Sequence, residues 1–210
     1  MKSSKLFKVA VGVFGASVLA LMGQAAASAD PAEVDDEDVK VTVTISPLGA
    51  GALTLSVASP TAALSETGAT PTVVREFTGT LPNVTVRDTR DPDDVADSAA
   101  WSVVGQATDF SDGGTNTIPS SQLGWTPAMA AGSDDGLGTV TEGQAVGTSL
   151  DSTPDVGLAA SELLYMAGSS ADLLDLGESA WSATADLVLK TSPTQATGNY
   201  SSTLTLSLFE

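Results

Sequence analysis

The chain has 210 residues, of which 26 are acidic and 8 basic, giving a net charge of −18, and it contains neither cysteine nor histidine. These absences exclude disulfides, thiol nucleophiles, Ser-His-Asp triads and Cys/His zinc sites. The acidic balance argues against nucleic acid as a partner, because phosphate binding requires clustered lysine and arginine, and against an anionic membrane surface.

Residues 1–29 have the pattern of a signal peptide. Lys2, Lys5 and Lys8 precede an apolar run from Val9 to Met22, and residues 27–29 (Ala-Ser-Ala) fit a cleavage site. The run is shorter than the roughly 20 residues of a membrane-spanning helix. We therefore expect a secreted mature chain without a membrane span, with 26 acidic and five basic residues and a net charge of −21.

Residues 30–38 are predicted to be an acidic, solvated tail, and residues 39–210 a single domain. Apolar residues alternate with polar ones from Val39 to Ile45 and again from Leu53 to Val57, which predicts two strands that form a hairpin or an adjacent pair. The segment from Pro60 to Pro71 is predicted to be a loop.

The middle of the chain predicts three further strands. The first covers Val73–Thr78, and breaks at Gly79 and Pro82 separate it from a second strand containing Val84 and Val86. A third strand begins at Trp101, after an acidic loop. The second and third strands are predicted to be neighbours at the centre of a sheet.

The rest of the chain predicts long Gly/Ser/Asp-rich loops between short strands. Residues 128–154 are predicted to be loops with one or two short strands near Val140 and Val146. The segments 163–166 and 173–176 fit a strand or a helical turn. Alternation over 183–189 and 204–208 predicts a C-terminal hairpin. Together these elements predict an all-β sandwich, either immunoglobulin-like or of the jelly-roll type.

Three segments between Val39 and Leu208 resemble the WxL-domain family of bacterial cell-surface proteins. Residues 84–90 and the following Trp101-Ser-Val103 stand where that family has its first Trp-x-Leu, and Leu123-Gly-Trp125 is the second segment. The third segment is similar to the family's terminal Tyr-x-x-x-Leu-Thr-Trp-x-Leu. The matching residues are Tyr200, Leu204, Thr205 and Leu208, whereas Val103 and Leu206 replace a leucine and a tryptophan. The resemblance implies an exported protein that binds peptidoglycan non-covalently, and the composition suggests an actinobacterial member.

The candidate ligand-binding residues are the three tryptophans. Trp101 lies in register with Val103 on an alternating strand, which favours a core position over a glycan-stacking platform. Trp125 and Trp181 have Gly, Ala, Ser and Thr neighbours, which suits a surface or rim position, where each would either contact a glycan or cover one end of the sandwich. Tyr200 opens the last strand and is predicted to bond to the backbone, as in a tyrosine corner.

The acidic loop raises the question of a metal site. Asp91, Asp93 and Asp94 are candidate calcium ligands, but the stretch lacks the spacing of a twelve-residue calcium loop, and a solvated loop paired with nearby arginines is the preferred interpretation. No cofactor is expected.

These observations predict an exported, non-catalytic protein that is associated with the cell wall and binds peptidoglycan or another wall glycan. One alternative is a structural subunit that pairs with another surface protein through its C-terminal strands. A third interpretation is a glycan hydrolase with two carboxylates, although nothing in the pattern distinguishes Glu142, Glu162 or Glu178.

Overall fold

Strands dominate the described part of the chain, which in this computed structural model comprises residues 51–67, 73–133 and 139–210. The elements are β1 (Leu53–Val57), β2 (Ser65–Thr67), β3 (Arg75–Asp88), β4 (Trp101–Ala107), β5 (Phe110–Ser111), β6 (Thr117–Ile118), β7 (Leu123–Met129), β8 (Val140–Glu142), β9 (Glu162–Ala167), α1 (Ser170–Asp175), β10 (Ala180–Thr191) and β11 (Leu204–Phe209). The predicted signal peptide, acidic tail and Val39–Ile45 strand lie outside these residues.

Two antiparallel sheets enclose the core. The first has the strand order β1-β3-β10-β7, with β2 also paired to β3, and the second has the order β11-β4-β9-β8. Strands β5 and β6 form a separate pair. The prediction of an all-β sandwich is confirmed. None of the helices in the described ranges is long and apolar enough to cross a membrane.

Two predictions about strand neighbours are wrong. One is the C-terminal hairpin, and the other is the sheet centre formed by the two strands that flank the acidic loop. Strand β10 pairs with β3 and β7, whereas β11 pairs with β4, so the last two strands belong to different sheets and form no hairpin. Strands β3 and β4, which flank the acidic loop, are likewise in different sheets. Alternation identified the buried face of each strand, but a long connection allows the chain to cross from one sheet to the other.

Strand β3 is continuous over 14 residues, so the predicted break at Gly79 and Pro82 is wrong. Between Val84 and Leu81 its register with β10 shifts by one residue, as in a β-bulge. The bulge accommodates Pro82, which has no N–H to donate to a ladder. The Oγ1 of Thr184 donates to the carbonyl of Leu81 at 2.5 Å beside this bulge.

The two ambiguous segments form different structures. Residues 163–166 lie within β9, and residues 170–175 form α1, the one α-helix of the described residues. The Ser169 hydroxyl accepts a hydrogen bond from the amide of Asp172 at 3.1 Å and caps this helix. The predicted short strand at Val140 is confirmed as β8, whereas Val146 forms an isolated bridge with Trp125. The loop predicted before Pro71 contains β2.

The Tyr165 phenol joins the two sheets across the core. Tyr165 is fully buried on β9, and its hydroxyl accepts from the amide of Val86 at 2.8 Å. The same hydroxyl lies 3.0 Å from the carbonyl of Val84 and 3.2 Å from that of Trp181, and its single proton goes to one of them. Burial raises the pKa of this phenol, so it stays protonated.

We expect Tyr165→Phe to lower the free energy of unfolding by about 1–3 kcal/mol, because it leaves buried backbone groups unpaired. Urea denaturation of the two proteins measures this. The matched control is Tyr200→Phe, whose hydroxyl is bonded at the surface and whose loss should cost under about 1 kcal/mol. Equal losses for both variants would contradict the special role of Tyr165.

Candidate functional site

All three tryptophans lie in the core. Trp101, Trp125 and Trp181 each expose 1% of their surface. The prediction of a core position for Trp101 is confirmed, and the surface or rim position expected for Trp125 and Trp181 is wrong. Because these rings are buried, they present no face on which a glycan could stack.

The small residues around these tryptophans make room for the rings inside the sandwich. A Cβ atom on Gly105 of β4 would lie 2.7 Å from the Trp125 ring, so glycine is what allows the ring to lie against that strand. Trp101 packs against Tyr165 edge to face at 5.3 Å and against Trp181 at 5.7 Å. The indole N–H of Trp181 donates to Glu178 at 2.8 Å.

We expect Trp101→Ala to lower the free energy of unfolding by about 3–5 kcal/mol, because it leaves a large cavity between the sheets. Chemical denaturation measures the loss. A variant that keeps its stability but loses binding to a glycan would contradict the core assignment.

The acidic loop forms a short 3₁₀ turn over Pro92–Asp94. The Asp91 carboxylate accepts from the amide of Asp93 at 3.1 Å and caps this turn. Asp91, Asp93 and Asp94 are all exposed. Within the described ranges, no group of three or more acidic side chains is arranged to hold a metal ion.

An ion pair holds the start of this loop. The buried Asp88 carboxylate accepts from the Arg90 guanidinium at 2.9 and 2.6 Å and from its amide at 3.1 Å. Arg90 also contacts Glu210 at 2.5 Å, which ties the end of β11 to the end of β3. Burial alone would raise the pKa of the Asp88 carboxyl, but the bonds from Arg90 outweigh it and lower the pKa. The predicted pairing of an arginine with neighbouring carboxylates is confirmed for Arg90.

We expect the stability that Asp88 contributes to be present at neutral pH and lost in acid. Its pKa in the folded chain lies below the unfolded value of about 3.9, so the contribution disappears as pH falls through the folded value. Asp88→Asn should therefore be less stable than wild type at pH 7 by about 3–5 kcal/mol, and the difference should shrink below about pH 4. Urea denaturation at several pH values measures this, and a difference that is constant with pH would contradict it.

A second ion pair lies on the outer face of the first sheet. Lys190 Nζ bonds Asp151 Oδ1 at 2.5 Å and lies 3.6 Å from Glu76 Oε2. The bond to Asp151 is the main reason that the pKa of Lys190 is raised, and the bond from Lys190 is the main reason that the pKa of Asp151 is lowered. Both groups therefore stay charged, which suits a structural link and not a nucleophilic amine.

A cleft of about 990 Å³ opens between the sheets. Its apolar floor consists of Phe77, Leu81, Phe110, Ile118, Leu123, Leu187 and Leu189. Its rim carries exposed polar residues, namely Thr61, Thr197, Asn199, Ser201 and Thr203. We call this feature the cleft. An apolar floor with polar groups around it is typical of binding sites.

The described lining of the cleft carries little charge. Among the described residues, Arg75 is the one charged residue of the lining, and it is paired with Glu66 at 2.8 Å. The Arg75 guanidinium also lies 5.3 Å from the centre of the Phe77 ring. No carboxylate of the described residues lines the cleft, so these residues supply none of the acidic pairs that glycoside hydrolysis requires.

Tyr200 forms one wall of the cleft. Its hydroxyl donates to the carbonyl of Ala196 at 3.0 Å and accepts from Gln195 Nε2 at 2.9 Å. The predicted backbone bond of Tyr200 is therefore confirmed. This bond lies within the connection between β10 and β11.

The residues that resemble the WxL signature lie in different places. Tyr200, Leu204 and Leu206 line the cleft, and Val103 is fully buried. Leu208 is half-buried and Thr205 is exposed.

Sequence reasoning missed the cleft, because its floor comes from residues far apart in the chain. Phe77 and Leu187 are strand residues with ordinary alternation, and nothing local marks them as facing an opening. The sequence does contain one indication of where the cleft lies. Residues 191–209 contain no charged side chain, although the chain is strongly acidic elsewhere, and most of the cleft rim belongs to this stretch.

Comparison of the chain with models of protein families, with curated proteins and with solved structures found no match.

Proposed function

We propose that this chain is an exported, non-catalytic cell-surface protein that binds peptidoglycan or another wall glycan through the cleft. The observation that carries the proposal is the cleft itself, with its apolar floor, hydroxyl- and amide-bearing rim and nearly uncharged lining. Sugar rings offer apolar C–H faces and polar hydroxyls, which match such a floor and rim. The signal-peptide pattern, the WxL resemblance and the absence of histidine and cysteine support an exported role without catalysis.

Charge limits where wall binding can occur on this chain. The net charge of −21 expected for the mature chain repels anionic polymers from most of the surface. The uncharged stretch 191–209 borders the cleft and removes that repulsion locally. With the tryptophans buried, hydrogen bonds from the rim and packing on the floor take over the role first assigned to stacking on the tryptophans.

We expect the purified mature chain to sediment with isolated cell walls, with and without calcium. Thr197→Glu, at the exposed rim, should weaken binding by roughly tenfold, which corresponds to about 1.4 kcal/mol, because it brings a negative charge to the cleft. Thr197→Gln is the matched control of the same size and should bind nearly as wild type. Protein that stays in the supernatant under both conditions contradicts the proposal.

A second candidate function is a structural subunit of a surface assembly. Strand β11 favours it, because within the described residues it has a neighbour on one side alone. An open strand edge can pair with a strand of another chain. Light scattering of the mature chain at high concentration tests this candidate, and a strict monomer that also binds no other surface protein would contradict it.

A further inference from the structure

One wall of the cleft is a segment that leaves the first sheet. Residues 59–64 connect β1 to β2, and both strands pair with the edge of β3 that β10 does not occupy. The amide of Ala58 donates to the carbonyl of Asn83 at 2.9 Å before this segment, and Ser65 pairs with Thr78 after it. Among the described residues, no backbone hydrogen bond joins residues 59–64 to another element. We call residues 59–64 the strap.

The strap lies over the floor of the cleft at Gly79. This glycine stands between Phe77 and Leu81 on the face of β3 that forms the floor. A Cβ atom on Gly79 would collide with the carbonyl oxygen of Ala63 and would lie 2.8 Å from Cδ2 of Leu64. Leu64 is half-buried and packs against the core. The strap therefore occupies the space that a side chain at position 79 would fill, and it covers part of the apolar floor.

An ion pair holds the strand that follows the strap. Glu66 of β2 accepts hydrogen bonds from Nε and Nη2 of Arg75, both at 2.8 Å. The Arg75 guanidinium lies in turn over the ring of Phe77, which belongs to the floor. The pair thus ties the end of the strap to the floor of the cleft.

These few attachments favour a segment that can open. An exposed ion pair contributes little to stability, and segments with few backbone hydrogen bonds open at a lower free energy than the whole domain. We propose that the strap is a movable wall that regulates access to the cleft. It lies closed over Gly79, the ion pair between Glu66 and Arg75 latches it, and a ligand reaches the floor beneath Leu64 when the strap opens. This inference rests on the proposed binding of a wall glycan in the cleft.

Amide exchange of the mature chain without ligand tests the latch. Glu66→Gln removes the ion pair, so the amides of β2 should exchange roughly two- to fivefold faster, which is the range that an exposed pair provides. The charge-exchanged variant Glu66→Arg with Arg75→Glu should return their exchange toward the wild-type rate. The matched control is Glu142→Gln, the same change at an exposed position of the other sheet, which should leave the β2 amides unchanged.

Gly79→Ala opens the strap without changing any charge, because the new Cβ atom takes the space of the Ala63 carbonyl and of Leu64. The amides of Ala58 and β2, which anchor the strap, should exchange faster than in wild type. The matched control is Gly168→Ala, where a Cβ atom would meet no other atom within 4 Å, and its strap anchors should exchange as in wild type.

The rate of association with soluble peptidoglycan fragments, released from isolated cell walls, tests the regulation of access. Glu66→Gln and Gly79→Ala should both associate faster than wild type, because a closed strap limits entry to the floor. Glu66→Gln also leaves Arg75 unpaired, which attracts anionic fragments by itself. The uncharged change Gly79→Ala therefore separates the opening of the strap from electrostatic attraction.

Three results overturn the proposal. The first is exchange of the strap anchors at the wild-type rate in both Glu66→Gln and Gly79→Ala. The second is an opened strap in Gly79→Ala with an association rate no faster than that of wild type, which leaves wall binding by the cleft intact. The third is the absence of binding to the fragments by wild type and by both opened variants, which contradicts the proposed function as well.

Discussion

The hydroxyl of Tyr165 is the contact on which the joining of the two sheets depends. It links β9 of one sheet by hydrogen bonds to the backbone of β3 and β10 in the other sheet. These bonds lie close to the bulge where the register between β3 and β10 shifts. Buried backbone groups without partners cost more than most side-chain contacts contribute. One phenol therefore stabilises the pairing of the sheets and also the irregularity that lets Pro82 remain inside a long strand.

The aromatic core determines what the surface has available for binding. The large rings fit inside because their neighbours are small, as Gly105 shows for Trp125. With Trp101, Trp125 and Trp181 enclosed, no tryptophan ring is available for the proposed binding of a glycan. In that proposal recognition belongs to the cleft, whose polar rim surrounds an apolar floor.

Charge connects the two proposed activities. The acidic surface keeps copies and anionic polymers apart, while the uncharged stretch 191–209 forms part of the cleft rim and continues into β11. Wall binding and pairing with a strand of another chain would thus use the same stretch, because Leu204 and Leu206 of β11 line the cleft. An assembly built through β11 would present several clefts to the wall at once, and multivalent binding strengthens attachment without any new contact at each site.

The sequence by itself determined the fold class and the buried face of most strands, because alternation depends on the period of a strand alone. It also identified Trp101 as core and the backbone bond of Tyr200. Only the tertiary structure decided which strands are neighbours, since β10 and β11 alternate alike yet lie in different sheets. It also decided that Trp125 is buried and where the cleft opens, because both depend on residues distant in the chain, such as Gly105 and Phe77, that meet after the sheets pack.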